Sequence, residues 1–201
     1  MSLVAISGNA SGTGTLTIAA PNTNSNYTLT LPELTGTVLT NKTAGTVLQV
    51  VSATKTDTFS TTVEDTVFVD ITGLSASITP TSATNTILVL ASIGKCSCTT
   101  SSRSVNFRLD RNGTSIALGD TAGNRVRISF CSSVATSEQG LSASLNFIDS
   151  PASTSALTYK IQMSGHNGEA TVINRNGNNT DNNDAPAARS ISTLILMEIA
   201  A

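Results

Sequence analysis

Val105-Asn106-Phe107-Arg108-Leu109-Asp110-Arg111-Asn112-Gly113-Thr114-Ser115-Ile116 is the stretch that decides the fold. Its apolar residues Val105, Phe107 and Leu109 alternate with the polar Asn106, Arg108 and Asp110, the period of a strand with one buried face. Asn112-Gly113 then supplies two residues that tolerate positive φ, as the tightest hairpin turn requires. The stretch therefore reads as a strand, a two-residue turn and a returning strand.

The same period recurs on either side. Val126, Ile128 and Phe130 alternate with Arg125, Arg127 and Ser129. Leu141, Ala143, Leu145 and Phe147 alternate with Ser142, Ser144 and Asn146, and Leu157, Tyr159, Ile161 and Met163 with Thr158, Lys160 and Gln162. Each run predicts a strand with one face inward. Ile87 to Ala91 and Leu194 to Met197 are instead continuously apolar, which predicts strands covered on both faces, in the sandwich centre or at a subunit interface. Breaks at Thr79-Pro80, Asp120 to Asn124, Ser150-Pro151 and Asn174 to Asp184 give the strand spacing of sandwiches. The expected fold is all-β: a short N-terminal β-arm followed by a jelly-roll-like β-sandwich.

Composition narrows the function. Of 201 residues, 27 are Ser and 32 are Thr, while only 12% are charged and 3% aromatic. The surface is polar through hydroxyls rather than charge. With 11 Lys and Arg against 13 Asp and Glu, there is no basic surplus to neutralise phosphates, so nucleic acid is not expected as a partner. No apolar run is long enough for a bilayer span, and the first residues do not read as a signal peptide, so membrane insertion is not expected.

Three domains are expected: residues 1–45 as an arm, 46–66 as a connector or edge strand, and 67–201 as a knob. The arm carries three short strands, around Leu16 and Ile18, Leu29 and Leu31, and Val38. So few apolar side chains cannot offset the entropy of ordering alone, so these five are expected to pack against other copies or a docking partner.

Chemistry-bearing residues are sparse. Cys96, Cys98 and Cys131 read as reduced core residues without finger spacing, and the first two, with Cα atoms ~6.5–7 Å apart in an extended strand, stand at or beyond the reach of a disulfide. His166, the single histidine, sits in the turn-like Ser164-Gly165-His166-Asn167-Gly168, with no triad to join. Asp110, Asp120, Asp149, Glu169, Asp181 and Asp184 could in principle form a glycosidase pair, but they adjoin turns, where acidic residues usually cap the local backbone. The Asn- and Asp-rich loop 174–184 has the oxygen ligands Ca²⁺ takes but not the spacing of an EF-hand, and reads as a solvated loop. Glu198, in an apolar strand, should face solvent or pair with an Arg such as Arg189. No enzyme activity, cofactor or metal is expected.

Gly8-Asn9-Ala10-Ser11-Gly12-Thr13-Gly14-Thr15-Leu16-Thr17-Ile18-Ala19-Ala20-Pro21-Asn22, followed by Tyr27-Thr28-Leu29-Thr30-Leu31-Pro32 and Gly36-Thr37-Val38-Leu39-Thr40, resembles the recurring module of tailed-bacteriophage fibre and spike proteins. Residues 45–50, 68–80 and 190–199 are similar to the C-terminal knob of such fibres, especially those of marine and cyanobacterial phages. The resemblance implies a virion-surface homotrimer whose arm docks on head or tail proteins and whose knob faces outward, toward a host glycan or protein. It carries no catalytic residue. Asp120, Asn124, His166, Arg175, Asp181 and Asp184 are then the candidate receptor-contact residues. The alternative is a head decoration protein that binds no receptor.

Overall fold

The computed structural model describes residues 43–100 and 103–201, and before residue 43 only positions 11–14, 17, 22, 24–26 and 28. Leu16, Ile18, Leu29, Leu31 and Val38 lie outside the described residues. The chain divides into two units, 1–37 and 38–201, and the second is an all-β sandwich.

Its strands are β1 (Val47–Lys55), β2 (Phe59–Thr61), β3 (Phe68–Ile78), β4 (Thr86–Cys98), β5 (Arg103–Arg111), β6 (Thr114–Ile116), β7 (Phe130–Val134), β8 (Leu141–Asp149), β9 (Leu157–Ser164), β10 (Thr171–Ile173) and β11 (Ser192–Ile199). They form two antiparallel sheets. Sheet A runs β1-β11-β4-β10-β2 with β8 on the free side of β4, and sheet B runs β3-β9-β5-β6 with β7 also on β5. Because β11 pairs with the first half of β4 and β10 with its last residues, β10 and β11 are two pieces of one strand line. β2 and β1, their outer neighbours, are likewise two pieces of the next.

The period of two decides which side chains meet. Ile87, Val89, Ala91 and Ile93 of β4 and Leu194 and Leu196 of β11 face Val105, Phe107 and Leu109 of β5 and Tyr159, Ile161 and Met163 of β9, all buried in one core. Each fully buried large apolar side chain contributes roughly 1.5–3 kcal/mol. The β5–β6 turn is the expected hairpin: Arg111 faces Thr114, and Asn112 and Gly113 take φ 51° and 85°. Asp110 caps it, its carboxylate accepting from Gly113 N at 2.9 Å.

One expectation needs correction. Residues 125–129 form no strand, because β6 already occupies β5 at Leu109 to Arg111 and leaves β7 only Arg103 to Phe107. Ser129 fills the gap instead: its N–H donates to Phe107 O and its hydroxyl accepts from Leu109 N, both at 2.9 Å. Of the two readings of residues 46–66, the edge strand holds for β1, which pairs with β11 from Val47 to Lys55. Within one chain, Ile87 to Ala91 and Leu194 to Met197 are covered on one face, which leaves the subunit-interface alternative for the other. Leu88, Leu90, Ile195 and Met197 point outward and are half-buried.

Asn174 joins the two broken strand lines. It is buried at φ 62°, and its Nδ2 donates to Lys55 O and Asp57 O across the β1–β2 break at 3.1 and 2.9 Å. Its Oδ1 accepts from Ser192 Oγ at 2.8 Å, and its N–H donates to Lys95 O at 2.7 Å. One side chain thereby closes the gap between β10 and β11 as well.

Candidate functional site

The sandwich has two unlike ends. At one, residues 43–46 lead into β1 beside the chain's last residues: Gly45 N donates to Ala200 O at 2.8 Å and Ala200 N to Thr46 O at 2.9 Å. The opposite end gathers loops 62–67, 99–100, 135–140, 165–170 and 174–191. They are tied together by Thr99 N to Ala170 O (2.9 Å), Gly177 N to Ser137 O (2.8 Å) and the Ser97 hydroxyl to Gln139 O (2.9 Å). The nine residues of β1 at ~3.3 Å each separate the ends by about 30 Å.

In the loop cluster, His166 Nδ1 lies 2.7 Å from an Asp65 carboxylate oxygen, and its Nε2 faces the Asn167 amide at 3.4 Å. Asn167 and Gly168, at φ 48° and 76°, form the turn, closed by Glu169 N donating to His166 O at 2.8 Å. Gly165 is there for space: a Cβ would overlap the backbone of Val63.

The Asn-rich loop is not solvated throughout. Asn174, Asn176 and Gly177 are buried, and a Cβ on Gly177 would collide with the Cys98 carbonyl. Residues 178–184 are exposed, and next to them lies a shallow pocket of about 70 Å³ lined by Glu138, Asn176, Thr180, Asn182, Asp184 and Pro186. Arg175 is half-buried, donating to Asn176 O and Gly177 O at 2.9 and 3.1 Å. Burial lowers its pKa, and the charge of Arg189 adds to the effect.

His166, Arg175, Asp181 and Asp184 thus share one end of the molecule. Asp120 and Asn124 do not: they sit, exposed, on the loop between β6 and β7, which leaves sheet B midway along its edge. That loop is held by Arg127 Nε donating to Gly119 O at 2.7 Å. Arg108 beneath it covers the Phe68 ring at 3.8 Å and donates to Arg127 O at 2.8 Å.

Asp149 and Glu198 have structural partners. Asp149 is buried, receives Arg111 Nη1 at 2.6 and 2.8 Å, and accepts from the Tyr159 hydroxyl at 2.6 Å. Burial, then Asp149, push the Tyr159 phenol above its usual range. Glu198 corrects the expectation of solvent or an Arg. It is fully buried and held by neutral donors: the Thr81 N–H and hydroxyl at 2.7 Å, Asn85 Nδ2 at 2.6 Å and Gln49 Nε2 at 2.6 Å. Burial pushes its pKa up, but these hydrogen bonds outweigh it and bring the carboxyl down to about 2. Arg189 donates instead to Asn179 at 2.9 Å.

All three cysteines are free. Cys96 and Cys98 are buried as expected, whereas Cys131 is exposed on β7. Burial raises the Cys96 thiol to about 12. Among the described residues, no group of three or more His, Cys, Asp or Glu side chains is arranged to hold a metal ion, and no helix is long and apolar enough to cross a membrane.

The chain matches no protein-family model and no curated protein. The sequence offered no sign of the partners of Asn174 and Glu198, which come from segments up to 149 residues away. Only the polar residue inside an otherwise apolar strand was a signal for Glu198.

Proposed function

We propose that this protein is a non-enzymatic virion-surface fibre or spike of a tailed bacteriophage, held to the particle by its N-terminal arm and presenting the loop cluster 165–170 and 174–191 to the host surface. The observation that carries this reading is the polarity of the sandwich. The chain enters β1 at one end, and loops 165–170 and 174–191, with exposed Asp181 and Asp184, lie at the other. The resemblance of residues 8–40 and of the knob segments supports the same assignment and adds a homotrimer on the virion, docked to head or tail proteins. The exposed acids and amides, Asn178 to Asp184, suit a hydroxylated glycan or a polar protein surface better than an apolar one.

Particles carrying Asp181→Ala and Asp184→Ala should assemble with normal copy number and adsorb to host cells several-fold more slowly. Head decoration without receptor binding is the second reading. It is favoured by one observation: Asn182 and Asp184 bond each other (2.8 Å), and Arg175 and Arg189 are spent within the loop. Unchanged adsorption with normal occupancy would select it.

A further inference from the structure

We propose that the outward face of sheet A is the surface on which a second copy of this chain docks. The pairing register builds that face. Val50, Met197, Leu88 and Ile148 lie in one row across β1, β11, β4 and β8, and Ile195 and Leu90 lie side by side in the next. These are the half of the apolar strands that the core does not use. Ile148 is 63% exposed and Val50 54%, far from the burial such side chains find inside a protein.

Four arguments on this face single out a copy of the same chain. The first is its size. Four strands at ~4.8 Å and the five residues from Val50 to Thr54 at ~3.3 Å project to roughly 300 Å². That is the lower end of the range of the largest patch on an ordinary monomer and under half of the ~800 Å² that each partner gives a stable interface. The second is the rim: Ser52 and Asn146 flank Ile195 and Leu90, and Thr54, Thr193, Ser92 and Ser144 form the next row, all uncharged, the arrangement of an apolar centre with a polar margin. The third is charge. No Asp, Glu, Lys or Arg stands in these rows, so the face can meet its own copy with no like-charge opposition, and it offers nothing to a charged partner or an anionic lipid surface. The fourth is shape. From Val50 to Thr54, and across the matching residues of β11, β4 and β8, the register has no shift, leaving a regular ladder of the kind that stacks face to face on another sheet. Self-complementary faces are what closed symmetric oligomers use.

The inference deepens the fibre reading by naming the contact between copies, and it rests on that reading only for the number three. The test is sedimentation velocity of the full chain at micromolar concentration, with Ile148→Arg and Val50→Lys compared. Wild type should sediment as a multiple of 20.6 kDa. Each variant adds an unpaired charge to the contact, should weaken association on the order of 100-fold or more, and should keep its circular dichroism.

Met197 gives a readout without substitution: its oxidation by dilute peroxide should be slow in the assembled protein and should speed up on dilution, while buried Met163 stays slow throughout. A single-chain mass for wild type at micromolar concentration overturns the inference. So does an oligomer that survives both charges with Met197 oxidising equally fast at all concentrations, a result that leaves the virion assignment standing and moves the contact elsewhere. Absence of the chain from particles, with the mass shift intact, fails the virion reading alone.

Discussion

Glu198→Gln is the most informative single change to the sandwich. The carboxylate is 0% exposed and accepts four hydrogen bonds from Thr81, Asn85 and Gln49, with no cation among the donors. Its pKa stands at about 2 against an ordinary 4.5. A carboxyl held below its unfolded value stabilises the fold fully above pH ~4.5, and that stabilisation is lost as pH falls toward 2. At ~1.4 kcal/mol per pH unit the 2.5-unit difference amounts to about 3 kcal/mol.

Glutamine keeps the shape but turns one oxygen into an amide that faces another amide donor, Gln49 Nε2. It should therefore cost about 1.5–3 kcal/mol at pH 7. Asp57 and Asp70 are also lowered, by Lys55 and by Lys160 and Gln162, so the wild-type pH profile alone cannot isolate Glu198. The assay is urea unfolding of both proteins at half-unit steps from pH 7 to 2. As the wild type loses about 3 kcal/mol of this carboxylate's stabilisation below pH 4.5, the gap between the curves should close or reverse by pH 2. A gap that stays constant with pH would refute the account of this carboxylate.

Two further predictions follow from the same structure. Asn174→Ala removes the bridge across both broken strand lines and puts an alanine at φ 62°, so urea unfolding should show a loss of about 3–5 kcal/mol. Asn174→Gly should recover only the ~1 kcal/mol of backbone strain, and full recovery would show that the side-chain bonds do not matter. For the cysteines, thiol titration should find one reactive group in the native protein, Cys131, and three after denaturation; a reactive Cys96 would contradict its burial.

Local signals carried most of the strand pattern. Asn112-Gly113 announced the β5–β6 hairpin, and strict alternation placed β5, β8 and β9 with the correct residues inward, except Leu141 at the start of β8, which is exposed. Residues 125–129 show where alternation fails. The run has strand periodicity, but the ladder position it would need on β5 is taken by β6, and only long-range pairing reveals that. The Thr-rich stretch 54–66 has too few apolar residues to declare itself part of the sandwich, although its neighbour β1 is fixed by β11, over 130 residues later. The base of loop 174–184 reads as solvated because Asn and Gly dominate it. Its burial depends on Gly177 fitting against the Cys98 carbonyl, a contact no local pattern encodes. The grouping of His166 with Arg175, Asp181 and Asp184 was legible as loops, but not as one end of the molecule.

The central claim is that the chain stands on a particle by its arm with the loop cluster outward. A cryo-EM map of the intact virion tests it most directly. The account predicts sandwich density whose Gly45–Ala200 end faces the particle, with loops 165–170 and 174–191 about 30 Å farther out. A sandwich seated with those loops against the particle, or a virion without the chain, would contradict it.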